Sequence, residues 1–301
     1  MTATSRTLFP ALALAALLAG GCSRVPPDEA VARGQAALAE GRWREAADLL
    51  DDAVDAFPEN PALFYNLGMA RLNAGDFRAA RSAFSESIKF AAGDDRRRAV
   101  QGLAEAWRRA GDLRRAADVY NEAIEAGDRS ACLLAGLAGI ELEGGEIQGA
   151  HSHLSQAAAE DPNDPTFLFN SGWLFSTDEK LDVPLAARRL TAFIVRGDNA
   201  ALYPAQADAA RKRLAGLAAK RPADLQDRID AALERCLNPG NMSPADVRKV
   251  AEAAYKMDPS NPFALETLAS IAAAQGDKAS AAAFRASGRL LFPDEPAFRD
   301  Q

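Results

Sequence analysis

Four glycines recur along this chain at nearly constant intervals: Gly41, Gly75, Gly111 and Gly145 are spaced 34, 36 and 34 residues apart. Ala46, Ala80, Ala116 and Ala150 keep the same step, and so do Leu50, Phe84, Tyr120 and Leu154, a large apolar residue each time. A fixed period in this range marks an array of small supersecondary units. Each unit buries its apolar face only by stacking on a neighbour, so the chain is expected to form a solenoid. Function then belongs on a long curved surface rather than in a single pocket.

Prolines set the register. Pro58 and Pro61, Pro162 and Pro165, and Pro259 and Pro262 each form Pro-x-x-Pro. The first proline of each pair stops a helix, and the second suits the first turn of the next, where its missing N–H costs nothing. Asn60, Asp164 and Asn261 precede that second proline and are expected N-caps. Ser243 is a further expected cap, before Pro244. Abundant alanine suits close helix packing and strong helix propensity. No sustained apolar–polar alternation competes with this reading.

The clearest unit runs from Pro61 to Asp94. A first unit starts near Pro27, a third near Arg97 with Asp95 and Arg96 absorbing a short delay, and a fourth at Ala131. The fifth begins at Pro165 and loses register, its second helix expected over about Pro184 to Val195. Pro204 opens an extra helix to about Lys220, which Pro222 ends. Helices at Ala223 to Cys236 and Pro244 to Met257 form another unit, and Pro262 to Glu295 the last.

These units resemble the tetratricopeptide repeat, a helix-turn-helix of 34 residues. Phe64, Leu67, Gly68, Gly75, Asp76, Phe77, Ala80 and Phe84 stand where that family has its signature residues. Gly68 and Ala80 are expected where the two helices of one unit cross, and Phe84 between neighbouring units. Asn66 and Asn170 match a further common family residue. The resemblance implies an all-α, right-handed superhelical solenoid of about seven helix pairs. Units one to five take residues 27–198, an extra helix and irregular connection 199–222, and the C-terminal units 223–301. It also implies a concave groove lined by each unit's first helix. Carried onto this sequence, the groove positions include Tyr65, Met69, Leu72 and Asn73 in the second unit. In the third they are Arg98, Gln101, Glu105, Arg108 and Arg109, and in the fifth they include Phe169 and Trp173. An aromatic anchor beside an arginine suits an extended segment carrying a carboxylate. The other reading of Tyr65, Phe169 and Trp173 is packing against a neighbouring helix, and that of the arginines is a solvated helix start and end. The family's chaperone-binding branch clamps a terminal carboxylate with Lys and Asn in its first unit. Val31 and Gln35 occupy those places here, which argues against such a clamp.

No motif for catalysis stands out. There is no Gly-rich phosphate loop, Gly-x-Ser-x-Gly elbow or Cys-x-x-Cys. The two histidines, His151 and His153, are two residues apart and so point about 200° around a helix from each other, wrong for a shared metal. No cofactor, metal or enzyme activity is expected. A net charge of −7 argues against general nucleic-acid binding. Cys132 and Cys236 are about three units apart, too far for a disulfide given ~10 Å per stacked unit, and are expected as free buried thiols. Arg211, Lys212, Arg213 and Lys220 on the extra helix could touch anionic lipid or form a solvated face.

The N-terminus carries a different signal. Arg6, the apolar run Leu8 to Leu18, and Leu18-Ala19-Gly20-Gly21-Cys22 resemble a bacterial lipoprotein signal peptide with its lipobox. The resemblance implies a signal over 1–21, lipid on Cys22, and a short tether over 22–26. It departs at Ala19, where the family prefers Leu. An ordinary secretory signal cleaved nearby is the alternative. Ser23 after the cysteine favours the outer membrane, periplasmic face, over the inner membrane. The expected function is a membrane-anchored scaffold or adaptor that holds an envelope protein or peptide in its groove. The alternative is a non-catalytic regulator of an envelope enzyme such as a cell-wall hydrolase or synthase.

Overall fold

The computed structural model describes residues 26–177 and 181–298. These form sixteen α-helices and one short 3₁₀ turn, with no strand among the described residues. The chain divides into two compact bodies, one ending at Ala91 and the other starting at Ala92. Cys22, the expected lipid site, lies outside the described residues.

The first body holds α1 (Pro27–Ala39), α2 (Trp43–Ala56), α3 (Pro61–Ala74) and α4 (Phe77–Phe90). Each helix packs on the next, and α1 also meets α3. Local chemistry sets the boundaries. The Asn60 side chain accepts from the N–H groups of Ala62 and Leu63, satisfying two donors that the first turn leaves open. Gly75 ends α3 at φ 86°, a left-handed conformation that glycine adopts without steric cost. Asp76 then caps α4 through Ala79 N–H. The core of this body is alanine and leucine: Ala30, Ala37, Ala46, Leu50, Leu63, Leu67 and Ala83.

Phe84 corrects one expectation. Its ring packs inside its own helix pair, not only between pairs. A Cβ on Gly68 would stand 2.7 Å from it, and the Tyr65 ring lies 5.8 Å away. The glycine is therefore the hole into which the phenylalanine fits.

The second body opens with α5 (Gly93–Arg109), α6 (Leu113–Glu125), α7 (Ala131–Glu143), α8 (Ile147–Glu160), α9 (Pro165–Leu174) and α10 (Val183–Val195). Helix α5 starts four residues before the expected Arg97. Asp94 and Asp95 fall in its first turn, where carboxylates favour the positive end of a helix. They also pair with Arg97 and Arg98 one turn on. The stacking pattern is that of repeated hairpins: α5 on α6, α6 on α7, α7 on α8, and α7 on both α5 and α9. Helix α9 is short, 10 residues, and Asp164 caps it through Phe167 N–H.

After α10 the pattern changes. A four-residue helix, α11 (Asn199–Leu202), precedes α12 (Pro204–Ala218), which stops short of Lys220. Then come α13 (Ala223–Leu237), α14 (Pro244–Met257), α15 (Pro262–Ala274) and α16 (Lys278–Leu291). Ser243 caps α14 and Asn261 caps α15, as the sequence predicts. Helix α16 does not end the array freely. It packs back on α10, and one core joins Leu190, Ile194, Leu214 and Leu217 to Leu265, Leu291 and Phe298. Arg211 of α12 donates from Nε to the Leu290 carbonyl at 2.6 Å. A guanidinium suits the exposed carbonyls at the end of α16.

Candidate functional site

Helix α7 locates an inner face in the second body. Its residues Leu133 to Ala138 are all buried, whereas Cys132 and Gly139 are half-buried, seven residues apart. Two turns of helix bring that spacing back to one line, so a single strip of α7 reaches solvent before Glu141. The strip is low because its residues are small. Ala135, between them, is fully buried. The Asn170 amide of α9 lies over it, donating to the Ala135 carbonyl at 2.8 Å, and a Cβ on Gly139 would meet the same amide at 2.7 Å.

Helix α5 packs on α7, and its charged and polar side chains are partly open to solvent. Gln101, Glu105 and Arg108 are half-buried there, while Arg98 is exposed. The expected acidic-peptide contact finds its arginines already engaged. Arg98 pairs with Asp95, and Arg97 with Asp94 and Asp128. Arg108 bonds Glu105 at 2.6 Å and Glu143 of α7 at 3.1 Å, and Arg109 shares Glu105 at 2.7 Å. Burial pushes the Glu105 carboxyl up, but bonds from Arg108 and Arg109 outweigh it and hold the pKa below the usual range. The bond to Glu105 likewise raises the Arg108 pKa. Helix α5 therefore presents paired charges rather than a free positive field.

Helix α9 also packs on α7 and carries two aromatic side chains. Phe169 and Trp173 are half-buried and stacked, with ring centroids 5.8 Å apart. Phe169 also meets Phe193 of α10 at 5.3 Å, and Phe193 meets Tyr203 at 6.2 Å. The Arg213 guanidinium of α12 lies 4.8 Å over Trp173. These rings thus pack on neighbouring helices, the second of the two readings, and remain half-buried. Sequence reasoning missed Arg213 and Tyr203 here. Both lie outside the clear repeats, Tyr203 just before α12 and Arg213 on it, and only the run Arg211-Lys212-Arg213 marked that helix.

Tyr65 and Met69 lie on α3 in the first body, both half-buried. Tyr65 rests against Phe84, and the Met69 carbonyl accepts from Asn73 Nδ2 at 3.0 Å. Leu72, placed in the groove by the repeat register, is instead a core residue, 3% exposed. The arginine beside it, Arg71, pairs with Asp51 of α2.

Cys132 and Cys236 are free thiols, the first half-buried and the second buried, and burial raises both pKa values. His153 Nδ1 lies 2.9 Å from Glu141 Oε2, and His151 stands edge-on to Phe175. Among the described residues no group of three or more His, Cys, Asp or Glu side chains is arranged to hold a metal ion. Among them, too, no helix is long and apolar enough to cross a membrane.

The tetratricopeptide repeat family model matches residues 31–95 and 65–131. Comparison with curated proteins gives no match. Among solved structures, the chain is similar to a thermophilic tetratricopeptide-repeat protein of Thermus thermophilus, at 20% identity. That alignment covers 64% of this chain and 98% of the other, with a TM-score of 0.46. A tetratricopeptide repeat protein from Parabacteroides merdae aligns at 12% identity over 90% of this chain and 95% of its own, with a TM-score of 0.45. The pilF protein of Pseudomonas aeruginosa aligns at 17% identity over 79% and 94%, with a TM-score of 0.40. Residues 31–131 match the family model and carry tetratricopeptide repeats.

Proposed function

We propose that this protein is a membrane-anchored scaffold of the bacterial envelope that holds an extended protein segment along its inner helix faces. The observation that carries the reading is the half-buried strip of α7 at Cys132 and Gly139 in the second body, read as the floor of a trough. Helices α5 and α9 both pack on α7, and we take the half-buried Gln101, Glu105 and Arg108 of α5 and the stacked Phe169 and Trp173 of α9 as walls on either side of its small Cys132 and Gly139. The Asn170 amide, over Ala135 and beside Gly139, offers polar atoms to a guest's backbone, and stacked rings offer apolar area at little entropic cost. Paired charges on the opposite wall offer hydrogen bonds without a net field, which favours a specific polar fit over capture of any acidic chain. The supporting motif for the anchor is the lipobox-like run ending at Cys22; two or more acyl chains hold a protein stably where one would exchange.

Gln101→Arg on the inner wall and Arg114→Ala on the exposed surface of α6 separate the inner face from the rest. Affinity purification from detergent-solubilised membranes is expected to capture a partner with the unaltered chain and with Arg114→Ala. With Gln101→Arg that partner should be lost. Equal capture by all three places the partner elsewhere and sinks the inner-face reading. Anchoring is tested apart from binding: Cys22→Ser should leave the membrane fraction, and unchanged retention would count against the lipid.

A further inference from the structure

We propose that the corner made by the Trp173 face and Ser176 is a seat for an arginine side chain of the bound segment, filled in the free protein by the chain's own Arg213. The proposal rests on the inner-face reading above and names one chemical feature of the guest.

Arg213 makes three contacts there. Its Nε donates to Ser176 Oγ at 2.6 Å, its terminal nitrogen donates to the Ser176 carbonyl at 3.1 Å, and its guanidinium lies 4.8 Å over the Trp173 ring. Among the described residues no carboxylate takes part. Arg97, Arg98, Arg108, Arg109, Arg211, Arg221 and Arg248 each pair with an acid, whereas Arg115 over Trp107 and Arg189 over Phe167 share with Arg213 a place on an aromatic ring. The corner draws on an aromatic face and on the carbonyl end of α9, two residues past Leu174. A planar cation with forked donors satisfies ring, hydroxyl and carbonyl together. A lysine ammonium, a compact point charge, cannot lie flat on the ring and reach both oxygens.

The corner also sits where a guest would pass. Trp173 stacks on Phe169, the aromatic wall of the trough. A guest arginine could take over the same three contacts, so Arg213 is a tethered competitor. Its release would not free α12 altogether, because Arg211 still holds Leu290 and Leu214 and Leu217 stay in the core.

The probe is a fluorescein-labelled hexapeptide, Ala-Ala-Arg-Ala-Ala-Ala with blocked ends, beside its lysine and citrulline counterparts. Arg213→Ala and Arg213→Gln remove the competitor, the second keeping a hydrogen-bonding group for Ser176. Tethered groups act at millimolar or higher effective concentration, so each variant should bind the arginine peptide about tenfold more tightly or better than the unaltered chain. Neither should gain for citrulline, and adding Trp173→Ala should cancel the gain. In the unaltered protein, saturating arginine peptide should speed hydrogen exchange in α12, and the citrulline peptide should not. This readout needs no substitution and holds even if a variant folds poorly. A folded variant that gains nothing, or gains equally for citrulline, overturns the seat, as does unchanged exchange in α12 under bound arginine peptide. If partner capture still depends on Gln101 in that case, the inner-face reading stands without the seat; if capture is indifferent to Gln101, both fall.

Discussion

A methyl group added at Gly68 would stand 2.7 Å from the Phe84 ring, closer than real Cβ contacts come. The ring is fully buried and cannot swing into solvent. Gly68→Ala should therefore destabilise the chain by about 1–3 kcal/mol, the usual range for overpacking, and Phe84→Leu in the same chain should restore part of it. Urea unfolding checks both. Electrostatics at Asp277 gives a pH effect. Hydrogen bonds from Ser280 and then Arg248 draw its pKa down from 3.8 to about 2. Between those values the folded carboxylate stays ionised while the unfolded one binds a proton, so stability rises with pH across that window and is lost as pH falls through about 2. Asp277→Asn should flatten melting temperature against pH in that window while leaving the cap's hydrogen bond. An unchanged slope would mean the charge plays no part. Both glycine and aspartate were legible as repeat residues from their spacing. Their partners were not, because a 34-residue period fixes position along the chain and leaves open which ring fills which hole.

Helix boundaries were legible wherever a proline or a capping side chain marked them. Asn60, Asp164, Ser243 and Asn261 each accept from the N–H groups of the turn they open. Helix α5 lacked such a mark. Its start is fixed by Asp94 and Asp95 meeting the helix dipole and pairing with Arg97 and Arg98. Repeat register alone pointed four residues downstream. The connection after α12 is held by something no periodicity signals: Arg221 pairs with Asp258 at the end of α14, their side chains 11% and 2% exposed. Removing one partner from a buried pair strands the other charge. Arg221→Met should cost about 3–5 kcal/mol, and adding Asp258→Asn should recover much of it. Thermal unfolding of the single and double variants decides; a mild single-variant effect would show that water already reaches the pair.

Across the second body, stability is shared between segments far apart in sequence. Leu291, on α16, is 4% exposed in the core that also holds Leu190 of α10 and Leu214 of α12. In an open array each repeat would answer only to its neighbours. Here Leu291→Ala should cost about 2–5 kcal/mol and speed hydrogen exchange in α10 and α12 as well as in α16. Exchange that quickens in α15 and α16 alone would show that the return contact contributes little. The trough belongs to this scale too. Gln101, Gly139, Phe169 and Trp173 come from three helices that meet only once the hairpins stack.

Spacing of glycine, alanine and large apolar residues determined by itself that the chain folds as stacked helix pairs. A helical hairpin has few ways to bury one face, and those ways impose a period. Proline and asparagine determined most of the ends, since backbone geometry and unsatisfied N–H groups are local matters. Only the tertiary structure decided that the candidate arginines are paired, that Leu72 is core, that α16 returns to α10, and that Arg213 lies over Trp173. Each of those depends on side chains brought together from distant positions, where the period that organises the chain carries no information.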